Sequence, residues 1–168
     1  MTDHTPNLRI GHGHDLHRLA PTSAGGQPLI LGGVILDSPI GPVAHSDGDA
    51  LLHAITDAVL GALGLPDIGQ LFPDSDPTWK GAASDRFVEE ALRRARADGW
   101  WVANLDATVI LERPRIGPHK DEIRRSVARI MGVDESRVNV KGKTHEGVDA
   151  VGEGRAIEVH AVVLLARG

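Results

Sequence analysis

The stretch Leu8–His17, LRIGHGHDLH, alternates between two kinds of residue over ten positions. One set of alternate positions holds leucine, isoleucine and two histidines, and the other holds arginine, glycine and the pair Asp15 and His17. A period of two is that of a β-strand, whose successive side chains leave opposite faces. The stretch therefore predicts a strand with Asp15 and His17 on one face and with His12 and His14 on the other.

Periodic segments farther along the chain predict both strands and helices. Gly32 and Gly33 separate two short apolar runs, Leu29–Leu31 and Val34–Leu36, in the form of a tight hairpin. The segment Asp67–Gly81 is polar and broken by proline and glycine, which is typical of a ligand-binding loop. The other predictions are a helix over Asp49–Leu63, a helix capped by Ser84 and ended by Gly99, a helix from Pro118 to Gly132, and strands over 104–112, 138–144 and 156–166.

These elements predict one α/β domain over residues 1–168, with residues 1–7 as a disordered tail. Their order is typical of a mixed sheet with helices packed on one face, an α+β two-layer arrangement. The last strand carries apolar residues on both faces, since Val162 and Leu164 face away from Val163 and Leu165. We therefore expect a partner subunit to cover the face of the sheet that the helices leave open.

The composition limits the classes of function. A chain of 168 residues can bury about 70% of its unfolded surface. The absence of cysteine excludes thiolate zinc sites, iron–sulfur clusters and thiol redox chemistry. A net charge of −5 and an aromatic content of 3% argue against nucleic-acid binding. Nine histidines favour metal or phosphate chemistry, and without a signal or membrane-spanning pattern we expect a cytoplasmic protein that does not contact the membrane.

Asp15 and His17 leave one face of the predicted strand together and are suited to bind a metal ion, with Gly11 and Gly13 expected to leave room for a ligand. His53, on the polar side of the predicted helix, is the natural third ligand, and Asp57 is placed one turn later to accept the proton of its other ring nitrogen. Three protein ligands leave a tetrahedral zinc ion one open position, as in catalytic sites.

Spacing alone leaves this metal site undecided. His12 and His14 have the same spacing as Asp15 and His17 on the opposite face, and either pair could instead be ordinary hydrogen-bonded strand residues.

Two further clusters of polar residues could bind a phosphate group. His45–Asp49 runs into the start of the predicted helix, where backbone donors and the helix dipole favour an anion, although a simple capping loop would look the same. Lys141, Lys143, Thr144 and Glu146 combine cations with a hard oxygen ligand at the end of a strand, a pattern that a solvated strand end also shows. The chain has no P-loop, nucleophile elbow or zincin motif.

Several long motifs cover nearly the whole chain. They are Arg9–His17, Ala44–Asp49 with its continuation through Asp57, Leu65–Gly69, Leu71–Pro77 with Lys80-Gly81, Pro114-Arg115 and Val138–Lys141. In order and spacing they resemble the 2-C-methyl-D-erythritol 2,4-cyclodiphosphate synthase family, and the chain is identified as a member of it on this resemblance.

The resemblance implies an α/β subunit of a homotrimer whose active sites lie between neighbours. It implies that zinc, or another divalent transition metal, is held by Asp15, His17 and His53, with His12 and His14 as scaffold. It also implies magnesium or manganese at the diphosphate, held by Glu146.

The resemblance further implies which residues meet the substrate, a cytidine diphosphate derivative. His45 and Thr144 would be catalytic and would polarise the diphosphate. The residues implied in substrate binding are Asp15, His17, Ser46, Asp67, Ile68, Gly69, Phe72, Asp74, Asp76, Leu111, Arg115, Ile116, Gly117, Gly142, Lys143 and Glu146.

The implied reaction is cyclisation of 4-diphosphocytidyl-2-C-methyl-D-erythritol 2-phosphate with release of CMP, in the non-mevalonate route to isoprenoid precursors. The nucleophile is the substrate's own 2-phosphate, whose second pKa of about 6 leaves it largely ionised at neutral pH, so that no strong general base is needed. Two alternatives keep the same scaffold: a zinc-dependent phosphoesterase, and a non-catalytic trimeric module that binds nucleotide or metal.

The chain departs from the family pattern at residues 147–155. This segment is two residues shorter than usual and lacks the usual phenylalanine and arginine, for which Arg155 is only an approximate substitute. Whether it binds a ligand along the trimer axis is therefore left open.

Overall fold

The structure is a computed structural model that describes residues 7–73, 75–79 and 81–168. Within these described residues, seven strands and five α-helices follow one another along the chain. The strands are β1 (Leu8–Pro21), β2 (Leu29–Leu31), β3 (Val34–Leu36), β4 (Ile40–Pro42), β5 (Trp101–Ile110), β6 (Val138–Lys143) and β7 (Ala156–Ala166). The helices are α1 (Ala50–Leu63), α2 (Ile68–Leu71), α3 (Asp85–Ala97), α4 (Lys120–Met131) and α5 (Asp149–Gly152).

Five of the strands form one mixed sheet in the order β4-β1-β7-β5-β6. Only the β5–β6 pair is parallel, and the long antiparallel ladder between β1 and β7 runs from Leu8 opposite Ala166 to Arg18 opposite Ala156. α1 packs on β1 and β7, α3 packs on β5, and α4 packs on β6. The predicted sheet with helices on one face is thus confirmed as a mixed α/β fold.

The alternation read along the first strand is confirmed, but its glycines have a different role from the one predicted. A Cβ atom on Gly11 would lie 1.8 Å from the carbonyl oxygen of Ala58, and one on Gly13 would lie 1.8 Å from that of Ala54. The glycines therefore let the backbone of α1 pack directly on β1, and the prediction that they leave room for a ligand is wrong. This contact places His53, one residue before Ala54, beside the strand.

Asp49 joins the predicted hairpin to the start of α1. Its buried carboxylate accepts hydrogen bonds from the backbone N–H groups of Gly32 and Gly33, at 3.0 and 2.7 Å, and from those of Leu51 and Leu52, both at 3.1 Å. Complete burial raises the pKa of this carboxyl to about 6, against the opposing effect of the backbone donors. The hairpin and the first helix, both predicted from the sequence, are thereby held in a fixed relation.

Three local predictions need correction. The segment Asp67–Gly81 is not only a loop, since it contains α2, with Asp67 as its N-cap, and a single helical turn over Pro77–Trp79. Ser84 precedes α3 as predicted, but its side chain makes no capping hydrogen bond. The first strand also continues beyond the predicted alternation, to Pro21, where it pairs with β4.

The sheet face away from the helices is partly apolar. Ile10 is 72% exposed, Leu16 is 54% exposed and Val162 is 41% exposed. Within the residues that the structure describes, no helix has both the length and the apolar character needed to cross a membrane.

Candidate active site and metal centre

The three predicted metal ligands meet at the contact between β1 and α1. Asp15 and His17 lie on the face of β1 that receives the helix, and His53 comes from the second turn of α1. Asp15 Oδ2 lies 2.6 Å from His17 Nδ1 and 3.4 Å from His53 Nδ1. A tetrahedral zinc ion with bonds of about 2.0–2.1 Å holds its ligand atoms about 3.3 Å apart. The three side chains are therefore close to the arrangement that zinc requires.

Unpartnered buried atoms at this point fit a cation. Asp15 Oδ2 and His17 Nδ1 are buried, and neither has a hydrogen-bond partner within the described part of the chain. Their short contact does not have the directions of a hydrogen bond, and buried polar atoms without partners are costly. A divalent ion between them would satisfy both atoms at once.

The opposite side of the His53 ring is held by two serines. His53 Nε2 lies 2.9 Å from Ser84 Oγ and 3.1 Å from Ser46 Oγ. The Ser84 hydroxyl donates a short hydrogen bond to Asp47, whose other oxygen accepts from the Ser84 backbone N–H at 2.9 Å. Because its own proton is engaged, Ser84 Oγ accepts from His53 Nε2–H. In the neutral ring this leaves the lone pair on Nδ1, which faces Asp15.

This geometry corrects the predicted partner of His53. Asp57 does not take the second ring nitrogen, because its Oδ1 accepts the backbone N–H of Ile68 at 2.8 Å and so fixes the start of α2. Sequence spacing suggested Asp57 because it follows His53 by one turn. Ser84 and Asp47 lie far away in sequence and could not be found from helical spacing.

Burial and nearby charged groups together shift the pKa values of Asp15 and His53. Burial alone would raise the pKa of Asp15, but its contacts with His17 and His53 and their charges outweigh burial and lower the pKa to about 2. Burial likewise opposes ionisation of His53, whereas the contact with Asp15 and the charges of Asp15, Asp49 and Asp47 raise the pKa of the imidazole. The centre thus favours positive charge, which a proton supplies when no metal is bound.

A cavity of about 430 Å³ opens beside the three ligands. It is lined by the three predicted metal ligands, by the predicted catalytic residue His45 and by predicted substrate residues: Asp15, His17, His53, His45, Ser46, Ile68, Gly69 and Phe72. His45 Nε2 is buried and has no hydrogen-bond partner among the described residues, so it is available to a ligand. These predicted residues are therefore brought together as one site.

Two aromatic side chains that line this cavity were not among the predicted site residues. Trp79 and Phe87 line the cavity, and their rings pack against Phe72 with centroid separations of 5.0 and 4.7 Å. A tryptophan inside a polar segment was an available signal for the first. Phe87 follows the apolar period of α3, so the sequence indicates only a core residue.

Two other predicted residues of the same segment, Asp67 and Asp76, do not line the cavity. Asp67 caps α2, accepting the Gln70 backbone N–H at 2.9 Å, and does not line the cavity. Asp76 is described but does not line it either. Asp74 lies outside the described residues, as does Lys80 of the quoted motif.

The predicted nucleotide and diphosphate residues form a second group at the ends of β5 and β6. The Leu111 backbone N–H donates to the Lys143 carbonyl at 3.0 Å. Gly142 packs against Ile116 so closely that a Cβ atom would lie 2.7 Å from the Ile116 side chain. Arg115 and Gly117, the other predicted residues of this group, lie between β5 and α4, in the same segment as Leu111 and Ile116.

Thr144 and Glu146 continue this second group beyond β6. Thr144 Oγ1 donates to Glu146 Oε1 at 3.2 Å, and Glu146 has a φ of 53°, a left-handed conformation that is uncommon for residues other than glycine. The carboxylate is a hard oxygen donor of the kind that magnesium and manganese prefer. The pair is therefore suited to the predicted second metal.

The two groups do not meet within one chain. Strand pairing places Leu16, Glu158, Ile110 and Lys143 in one row across the sheet, and His17 and Thr144 are the residues that follow the two ends of this row. At a strand spacing of about 4.8 Å, three spacings separate His17 from Thr144 by about 14 Å. Within one subunit the backbones of the two groups are therefore separated by three strand spacings.

Comparison with known proteins gives one consistent family. The profile of the YgbB family matches residues 8–166. The 2-C-methyl-D-erythritol 2,4-cyclodiphosphate synthase of Trichlorobacter lovleyi is 49% identical over 94% of this chain and 98% of its own length. The chloroplastic enzyme of the same name from Arabidopsis thaliana is 58% identical over 94% of this chain, which spans about two thirds (67%) of that relative.

Solved structures agree with the sequence relatives. A 2C-methyl-D-erythritol-2,4-cyclodiphosphate synthase in a CDP-bound form is 44% identical, with a TM-score of 0.85 over 94% of this chain and 99% of that one. A CDP complex of IspF from Plasmodium falciparum is 35% identical, with a TM-score of 0.83 over 97% and 98% of the two chains.

Proposed function

The chain belongs to the YgbB family, and from this membership we propose that it catalyses the formation of 2-C-methyl-D-erythritol 2,4-cyclodiphosphate. It is thereby a phosphorus–oxygen lyase of the non-mevalonate pathway to isoprenoid precursors. The observation that carries the proposal at the level of the site is the trio Asp15, His17 and His53, with buried unpartnered atoms facing a cavity that also holds His45.

The proposed reaction joins two phosphates of one substrate molecule. An oxygen of the 2-phosphate bonds to the diphosphate phosphorus that is attached to methylerythritol. The bond from that phosphorus to the oxygen of CMP breaks. CMP leaves with that oxygen and its electron pair. The ionised 2-phosphate needs no base, so the protein must orient two anions in line and reduce their repulsion.

Asp15, His17 and His53 would hold zinc or another divalent transition metal, and Glu146 would hold magnesium or manganese at the diphosphate. Such ions, when bound, supply Lewis-acid charge to phosphate oxygens. The unpartnered Nε2 of His45 is positioned to donate a hydrogen bond to a phosphate in the cavity. Thr144 would orient the diphosphate through its hydroxyl, which in this structure donates to Glu146.

The aromatic side chains that line the cavity have a separate role in this proposal. Phe72, Trp79 and Phe87 close one side of the cavity and restrict the entry of water next to the reacting phosphates. Exclusion of water favours ring closure over hydrolysis of the diphosphate.

A homotrimer completes the site in this account. The separation of about 14 Å between the row positions of His17 and Thr144 is removed if Thr144 is supplied by a neighbouring subunit. Exposed Ile10, Leu16 and Val162 on the open sheet face support association through that face. The CDP-bound forms of similar structures support a cytidine nucleotide as the ligand, and we assign its recognition to the second group. The cytoplasmic location stays a prediction.

Product analysis tests the function. Purified protein with 4-diphosphocytidyl-2-C-methyl-D-erythritol 2-phosphate and a divalent metal should give CMP and the cyclic diphosphate in equal amounts, measured by phosphorus NMR. CMP with a linear phosphate ester would instead identify a metal-dependent phosphoesterase. Binding of cytidine nucleotide without turnover would identify a non-catalytic binding module.

A further inference from the structure

The open face of the sheet carries a second cluster of metal-binding side chains. Because side chains alternate along β1, His14 lies on the face opposite Asp15 and His17. In the antiparallel ladder His14 is directly opposite His160 of β7, and Glu158 lies two residues earlier on the same face as His160. None of these three residues lines the cavity of the proposed active site.

The ligand atoms of this cluster are already close together. Glu158 Oε1 lies 2.9 Å from His160 Nε2 and 3.3 Å from His14 Nε2. One ligand atom from each of the three residues can be chosen so that all lie within 4.8 Å of one another. Zinc bound tetrahedrally separates its ligands by about 3.3 Å, so small side-chain rotations would complete the site.

His12 supplies the outer contact that a metal-binding histidine needs. Its Nε2 lies 3.2 Å from His160 Nδ1, and the two rings stack with centroids 5.4 Å apart. Histidine ligands almost always donate their other ring N–H to an acceptor, which fixes the tautomer and the ring direction. If His160 binds through Nε2, its Nδ1–H donates to His12 Nε2.

We propose that His14, Glu158 and His160 bind a divalent transition-metal ion, with zinc as the best match to two imidazoles and one carboxylate. His12 orients His160 and does not bind the ion itself. The three protein ligands lie on adjacent antiparallel strands, so the ion bridges β1 and β7. The proposal does not depend on the proposed catalytic function, because it uses the other face of the strand.

The test is metal stoichiometry with zinc alone. Protein stripped of metal and titrated with Zn²⁺ should bind two ions per chain. His53→Ala should leave one ion, His160→Gln should also leave one, and the double variant should bind none. Glu158→Gln provides a second variant that removes the same site, and His119→Gln, whose histidine belongs to neither cluster, should retain both ions.

Two results would overturn the proposal. One is a single ion per chain that is lost in His53→Ala and kept in His160→Gln. The other is binding of two ions by both His160→Gln and Glu158→Gln. A single ion that is lost in His160→Gln but kept in His53→Ala would support this site and contradict the centre at Asp15, so failure of either assignment can be distinguished. A zinc-dependent rise in Tm should persist in His53→Ala and disappear in the double variant, which checks the assignment in folded protein.

Discussion

The direction of the His53 ring is set by residues that are not themselves predicted metal ligands. Asp47 holds the Ser84 hydroxyl, and Ser84 in turn holds His53 Nε2. This arrangement presents the Nδ1 lone pair to Asp15, so we expect Ser84 to contribute to any affinity of this site for metal. The sequence predicted Ser84 only as a helix cap, because it lies just before the apolar period of α3, and gave no sign of its contact with His53.

Removal of the Ser84 hydroxyl should weaken metal binding without removing a ligand. We expect Ser84→Ala to lower zinc affinity at the Asp15 centre by about 10- to 100-fold, the usual effect of losing an outer partner of a histidine ligand. The exposed Ser136→Ala should have no effect. Competition with a chromogenic chelator measures both, and equal affinities in the two variants would contradict the role given to Ser84.

The raised pKa of His53 predicts a pH dependence for metal-free protein. A histidine whose pKa is raised by folding stabilises the protein fully below its unfolded value of about 6.5, and this contribution is lost as pH rises through the folded pKa. The difference in unfolding free energy between wild type and His53→Gln should therefore shrink from pH 6 to pH 9. Urea unfolding in the presence of chelator measures it.

The matched control for this pH series is His119→Gln, whose difference from wild type should stay constant over the same range. A His53 difference that is flat or grows with pH would show that the negative charges around the imidazole do not raise its pKa.

At the scale of elements, the packing of α1 on β1 fixes the relative positions of the three predicted metal ligands. This contact depends on glycine, because any side chain at position 13 would meet the helix backbone. The same contact sets the distance from the strand, which carries two ligands, to the helix, which carries the third.

Gly13→Ala should destabilise the fold by about 2 kcal/mol or more, because the strand and helix backbones must separate to admit the methyl group. Gly117→Ala is the matched control, since nothing lies within 4 Å of its would-be Cβ, and should change stability by less than about 0.5 kcal/mol. Denaturant unfolding compares them, and equal stability of the two variants would contradict close packing at Gly13.

Several elements were predictable because their signals are local. The Gly32-Gly33 hairpin and α1 follow from turn chemistry and from a clear helical period. α2 was missed because four residues are too few to show a period. Gly11 and Gly13 were misinterpreted because an alternating strand does not reveal whether a ligand or a helix fills the space beside it.

The residues of the candidate site likewise fall into those that local motifs predict and those that depend on tertiary contacts. Residues contributed by local motifs, such as Asp15, His17 and His53, were predicted and are brought together. Ser84 as the partner of His53 depends on tertiary contact across 31 positions, for which the sequence offers no spacing rule.

At the scale of the whole molecule, the open sheet face and the divided site both favour association of subunits. Ile10 is 72% exposed on that face, whereas Ile35 is 71% exposed on the β2–β3 hairpin. The two isoleucines are thus equally exposed but lie on different surfaces.

We expect wild-type protein to sediment as a trimer of 17.9-kDa chains. Ile10→Glu should shift it toward monomer, because a carboxylate would be buried without a partner in the interface. Ile35→Glu should remain trimeric. Sedimentation velocity distinguishes them, and a trimer in both variants would exclude the open face as the interface.

We propose that cyclisation depends on a metal ion held by Asp15, His17 and His53. The most direct measurement is the rate of cyclic diphosphate formation by His53→Ala, at saturating metal, beside wild type and His119→Ala. We expect a loss of more than about 100-fold in His53→Ala with the trimer intact, and an unchanged rate in His119→Ala. A normal rate in His53→Ala would contradict it.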